Sequence, residues 1–236
     1  MTAPAPERDH ERRSYGQFCP LARSLDVLGE RWTLLVVREL LTGPKRYRDL
    51  RDALPGMWSN LLARRLRDLQ AAGLVERRAL PPAQTRSVYE LTERGRALGP
   101  ALYELARFGL PYLDMPTEEQ PLTAHALDSG LRALVLIEAL PSHALTVHLV
   151  LDEGQWTLRV HAPQPGPLAD RVVVSTGPPD EADVVVRSSA PILLWLRRHD
   201  LSYDDALAAD LVHVDGDPAS VDAFLRMFGI DAPGAA

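Results

Sequence analysis

Residues 57–78, MWSNLLARRLRDLQAAGLVERR, constrain the fold more than any other stretch of the chain. Leu62, Leu66 and Leu69 recur at i, i+4 and i+7, so on a helical period they share one face. Pro55-Gly56 in front makes a turn, and Gly73 behind is the expected C-terminal stop. Ser59, Asn60, Ala63, Arg64 and Arg67 share much of the opposite side. Such a helix must bury its leucines, and it then presents small polar groups and arginines to something else. The neighbouring segments decide what that is.

CPLARSLDVLGERWTLLVVRELLTG (19–43) predicts a helix with a kink at Gly29 and a stripe of Leu28, Trp32, Leu35, Val36 and Leu40, stopped by Gly43-Pro44. RYRDLRDAL (46–54) predicts a short helix with Tyr47, Leu50 and Leu54 inward. LVERRAL (74–80) and SVYELT (87–92) alternate as strands do, around the proline-opened tip PPAQTR. Thr92 can cap a helix over 93–109, with Leu98, Leu102, Leu105 and Phe108 on one stripe. Helix, helix, turn, helix, hairpin, helix is the order of a winged helix-turn-helix.

The 236 residues suffice for two ordinary domains, and charge divides them. Residues 1–110 carry 19 Lys and Arg against 13 Asp and Glu, a formal +6; residues 111–236 carry 7 against 19, a formal −12. That change of sign implies two domains with different partners. The expected division is a flexible arm over 1–18, the winged helix over 19–109, a linker over 110–121 rich in proline and acid, and a second domain over 122–236. With one cysteine there is no internal disulfide, and no apolar run is long enough to cross a bilayer. The opening residues lack the apolar core of a secretory signal, so a cytoplasmic protein with no membrane partner is expected.

In a helix-turn-helix the second helix enters the major groove and its N-terminal residues reach base edges. Ser59, Asn60, Ala63, Arg64 and Arg67 are therefore the candidate readers; a bidentate Arg–guanine or Asn–adenine pair discriminates by roughly 1–3 kcal/mol. Lys45 and Arg46 are candidate phosphate contacts, and Arg77, Arg78 and Arg86 lie where a wing would follow the backbone. A solvated helix face is the alternative, strongest for Arg67 beside Asp68. Arg65 fits better against the core or paired with an acid.

These segments resemble the HxlR-type, MarR-like transcriptional regulators. The shared pattern is Cys19-Pro20, Gly29 to Thr33, Arg46 to Leu50, Leu62 to Leu69, and the strand-to-helix turn Tyr89 to Gly95, covering about 19–109. The resemblance implies a homodimer built from the N-terminal arm and the 93–109 helix, bound to pseudo-palindromic operator DNA. Two features depart from the family pattern. Trp58 stands where a small or polar residue is usual, open to stacking on a sugar, filling the core or shielding the helix N-terminus. The wing is also longer. Cys19 is a candidate redox sensor through the same resemblance, with a structural thiol as the alternative and Arg23 the one basic neighbour in reach.

Beyond the linker, 122–140 predicts a helix. ALTVHLVLD and QWTLRVHA predict a hairpin at Glu153-Gly154, and RVVVST and ADVVVRSS two further strands. PILLWLRRHD and YDDALAA predict short helices, LVHVDGD a last strand and PASVDAFLRMFG a closing helix. The fold class is α+β, with a mostly antiparallel five-stranded sheet in the second domain. The run from ADVVVRSS onward resembles the C-terminal part of the sterol carrier protein-2 (SCP2) fold. That resemblance implies a cavity for a small hydrophobic effector, with Leu193, Leu194, Trp195, Phe224, Leu225 and Phe228 as candidate walls or else ordinary core. No nucleophile turn, phosphate-binding glycine loop or Cys/His metal spacing occurs, so neither an enzyme nor a cofactor or metal is expected. His148 and His161 are candidate neighbours across the hairpin. The expectation is a DNA-binding repressor whose second domain senses an effector. The alternatives make that domain a ligand-free dimerisation or docking module, or an enzymatic one.

Overall fold

The computed structural model describes residues 14–79, 87–114, 117, 124–165 and 171–231. The tip PPAQTR with Arg86, residues 1–13 of the arm and half of the linker lie outside them. The chain divides into two compact units, residues 1–99 and 100–236.

The first unit begins with α1 (Pro20–Leu28) and α2 (Thr33–Leu41), then α3 (Tyr47–Ala53) and α4 (Ser59–Ala71). Strands β1 (Val75–Ala79) and β2 (Ser87–Leu91) follow as an antiparallel hairpin, and α5 (Glu93–Arg96) ends it. Lys45 forms an isolated antiparallel bridge to Tyr89, adding a short third rung to the hairpin. The core is leucine-rich. Val36, Val37, Leu40, Leu50, Leu54, Leu62, Leu66, Leu69, Leu74, Val75, Val88 and Leu91 are all buried.

Two predicted helices are each broken in two. The 19–43 segment stops at Leu28 and restarts at Thr33, because Trp32 takes a left-handed conformation with φ of 78°. The break rotates the second half, so Leu35 faces solvent and Val37 joins Val36 and Leu40 in the core. The 93–109 segment stops at Arg96 and resumes as α6 (Gly99–Gly109). Thr92 caps α5 as expected, its Oγ1 accepting from the Gly95 N–H and donating to the Gly73 carbonyl.

In the second unit α6 leads through a 3-10 turn (Leu110–Tyr112) to α7 (Ala124–Leu134). A five-stranded sheet follows, built from β3 (Leu145–Leu151), β4 (Gly154–Val160), β5 (Val172–Thr176), β6 (Val184–Ser188) and β7 (His213–Gly216). Helices α8 (Ala190–Arg198) and α9 (Tyr203–Ala208) lie between β6 and β7, and α10 (Pro218–Phe228) closes the chain. Strand order is β5-β4-β3-β6-β7. The sheet is mixed: β3 and β6 run parallel, and the other three pairs are antiparallel. Residues 177–183 carry the chain from β5 past β4 to the open edge of β3, which makes β6 run in the same direction as β3. Strict alternation along β3 buries Leu145, Val147, Leu149 and Leu151 against the helices.

Candidate nucleic-acid interface

Helix α4 has the two faces its sequence requires. Leu62, Leu66 and Leu69 are fully buried, each contributing roughly 1.5–3 kcal/mol by leaving water. Ser59, Asn60, Arg64 and Arg67 are exposed and Ala63 is half-buried beside them. Among the described residues neither Arg64 nor Arg67 has an acidic partner, so both cations are free to meet an external anion.

Arg65 is different. Its side chain is buried on the core side of the helix, donating to Glu30 Oε2 and Asp68 Oδ2 at 2.8 Å each. This pairing ties α4 to the α1–α2 connection and takes Arg65 out of any contact surface.

The start of α4 is held from two directions. Tyr47 on α3 donates its hydroxyl to the Ser59 carbonyl at 2.6 Å. The Trp32 indole borders Gly56 in the α3–α4 turn, where a φ of 83° favours glycine. The N-cap is Trp58, whose carbonyl accepts the Leu61 and Leu62 N–H groups but whose side chain has no oxygen to offer the first two. The N–H groups of Ser59 and Asn60 are therefore open, a favourable place for a phosphate oxygen. Beside it, α3 shows Arg46 and Arg48 to solvent. The Asp49 carboxylate accepts the Arg46 backbone N–H at 3.0 Å, capping α3 and leaving the Arg46 guanidinium outward.

On the hairpin, Arg77 and Arg78 alternate to opposite faces. Arg78 is committed to Glu90 at 2.6 Å, and that bond holds the Glu90 carboxyl below its ordinary value. Arg77 donates to Ser87 Oγ at 2.7 Å and lies over the Tyr89 ring. Of the two, Arg77 keeps more freedom to contact a nucleic acid, because its partner is neutral. Arg86 falls outside the described residues. Lys45 is half-buried at its bridge.

Sequence reasoning overlooked Tyr47 as the brace of α4, Arg48 as a further exposed cation, and Glu39. Glu39 is fully buried on α2, with Oε1 accepting from Arg38 and Oε2 without a partner among the described residues. The stripe of α2 could not reveal it, because the Trp32 break resets which positions face inward. Cys19 is half-buried at the N-cap of α1; Arg23, its expected cationic neighbour, is engaged by Asp26 instead.

In the second unit Leu193, Phe224, Leu225 and Phe228 are at most 2% exposed, and Leu194 and Trp195 pack partly buried against the same core. The Phe224 and Phe228 rings touch at 4.7 Å between centroids. A separate groove of about 350 Å³ opens at the carboxyl ends of the parallel strands β3 and β6, bordered by Asp152, Arg187, Ser189, Ile192 and His213. None of the six expected wall residues borders it. His148 and His161 are not paired: His148 stands opposite Thr157 and bonds Gln155, while His161 lies beyond the end of β4. No cluster of three metal-ligating side chains, and no helix long and apolar enough to cross a membrane, occurs among the described residues.

Residues 27–117 match the family model described as HxlR-like helix-turn-helix. A Bacillus subtilis protein named as the uncharacterized HTH-type transcriptional regulator YvaP is 34% identical over 99 residues, 42% of this chain and 92% of that one. The Synechocystis regulator sll1512, also uncharacterized, is 38% identical over 104 residues, 44% of this chain and 77% of its own length. The HTH-type transcriptional regulator YodB of Bacillus subtilis is 36% identical over 89 residues, 37% of this chain and 80% of its own.

Proposed function

The chain belongs to the HxlR-like helix-turn-helix family, a family of transcriptional regulators and not of enzymes, and on that premise we propose that it binds operator DNA as a homodimer and represses transcription. One observation carries the DNA contact. Helix α4 buries its leucines and the Arg65 side chain, and leaves Ser59, Asn60, Arg64, Arg67 and two open N–H groups outward. Phosphate contacts from Arg46, Arg77 and the open helix end would set the register, and Asn60 and Arg64 would read bases. Operator occupancy by a dimer excludes other proteins from that DNA, which makes repression the expected sign.

The dimer reading rests on exposed apolar side chains. Leu105 and Phe108 on α6, with Tyr112 and Leu113 after it, are exposed, as are Phe18, Leu21 and Leu25 at the start of the chain. For the second unit, assembly is the reading the geometry favours, because the expected cavity walls are packed against one another. Sensing of a small hydrophobic effector by an SCP2-like cavity is the alternative. It requires that core to open, and an effector must prefer one of two dimer states to shift anything. A medium-chain fatty acid that changes operator affinity would favour it.

The deciding experiment compares the intact chain with Arg64→Ala on the DNA upstream of its own gene and on random duplex. Preference for the upstream DNA, with Arg64→Ala losing mainly that preference, is the expected result. Equal binding to both duplexes by the intact chain would overturn the reading.

A further inference from the structure

Trp58 is the one large side chain at the head of α4 that neither the core nor the proposed contacts employ. It is 78% exposed, although Met57 immediately before it is buried. Its side chain does not cap the helix, and among the described residues the indole has no ring, cation or hydrogen-bond partner; only the Trp58 backbone carbonyl is engaged, by the Leu61 and Leu62 N–H groups. The residues that follow it on α4 are polar and cationic, with Ser59, Asn60 and Arg64 all exposed. A large indole kept in water at the head of such a helix calls for a partner that is anionic overall and apolar at one point.

Duplex DNA meets both conditions. Its phosphates answer the arginines, and the major-groove edges of the four base pairs carry a single apolar group, the C5-methyl of thymine. An indole has one N–H donor and a broad apolar face, so it suits that methyl far better than it suits a phosphate. Its place in the chain, one residue ahead of Ser59 and Asn60, sets it beside the residues that reach base edges. We propose that Trp58 is a specificity-determining residue that covers the methyl group of a thymine in each half of the operator. This rests on the DNA-binding reading above and adds a base preference to it.

The test uses the full chain, Trp58→Ala and Trp58→Phe. A randomised duplex pool first yields the sequence each protein prefers. The thymines of the preferred half-site are then replaced singly by uracil, which removes only the methyl. For the unmodified chain, one replacement per half-site should weaken binding roughly fivefold, the effect of uncovering one buried methyl. Trp58→Ala should lose both the thymine preference and that sensitivity, Trp58→Phe should keep most of both, and the salt dependence should be the same for all three. Retention by Trp58→Ala of the same sequence and the same uracil sensitivity overturns the inference while leaving the DNA-binding reading intact. Equal weakening on every duplex overturns it too, making Trp58 a backbone contact. If the unmodified chain selects no sequence at all, the DNA-binding reading falls and this inference with it.

Discussion

Arg64 and Arg65 are adjacent in the chain and opposite in task. A single residue step along the helix, a rotation of about 100°, sends Arg64 to solvent and Arg65 to the inner side. There its guanidinium bridges Glu30 and Asp68, both partly exposed acids, so the pairs are screened on one side and held in place on the other. Removing Arg65 leaves a void on the core side of α4 and releases the α1–α2 connection. Arg65→Ala should lower unfolding stability by about 2–3 kcal/mol, whereas Arg64→Ala should change it by no more than about 0.5 kcal/mol. Urea unfolding of the two variants checks this. Equal losses would mean that the Arg65 pairs do not anchor the helix. Gly95 shows how a single atom matters at this scale. A Cβ there would stand 2.1 Å from the Leu74 carbonyl oxygen, so the turn from β2 into α5 admits no side chain.

At the scale of elements, α4, the hairpin and the run from β3 to α10 were legible because each repeats its pattern for several periods between clear stops. The boundaries that failed were conformational. Trp32 in a left-handed conformation leaves no mark in apolar periodicity, since a bulky residue there is disfavoured by local sterics and held only by its tertiary surroundings. The parallel pairing of β6 with β3 was equally hidden, because short alternating strands carry no sign of direction. Among the candidate contacts, the exposure of Arg64 followed from periodicity, while the capture of Arg78 by Glu90 depends on hairpin register, which the longer wing obscured. One element junction titrates. Asp26 on α1 accepts the Tyr15 N–H at 2.8 Å and the Ser14 hydroxyl at 3.1 Å and pairs with Arg23, tying the described end of the arm to the helix. The backbone bond from Tyr15, helped by Ser14 and Arg23 and opposed by desolvation, holds the Asp26 carboxyl below its ordinary value of 3.8. The tether's contribution is therefore fully present above that value and is lost as pH falls through the lowered one. Hydrogen-exchange protection of the Tyr15 amide should be unchanged from neutral pH to about pH 5, begin to fall below about pH 4 and be lost as pH passes through the lowered Asp26 value. Asp26→Ala should abolish it at every pH; protection that survives in that variant would show that the arm is held by something else.

For the whole molecule, the decisive quantity is the separation of charge along the chain, +6 over residues 1–110 and −12 over residues 111–236. The two parts should act on a duplex with opposite sign and with different range. Contacts to phosphate release counterions, so log K falls linearly with log salt, by about 0.9 per phosphate neutralised. The acidic part, at −12, should make no such contacts and act only through its field. That field reaches about 10 Å at 0.1 M salt and about 30 Å at 0.01 M. Repulsion therefore grows as salt is lowered, just where the phosphate contacts strengthen. A binding curve measured by fluorescence anisotropy from about 0.3 M down to about 0.01 M salt should be straight at the upper end and bend toward weaker binding than extrapolation predicts at the lower end. Arg46→Ala should flatten the straight portion by about 2 for a dimer, one phosphate contact per protomer, without moving the bend or the preferred sequence. Neutralising exposed acids of the second unit, as in Asp180→Asn with Glu181→Gln, should do the reverse, reducing the bend and leaving the upper slope alone. A straight line over the whole range would mean that the acidic unit stays beyond the reach of its own field from the duplex, and the sign change along the chain would then need another explanation.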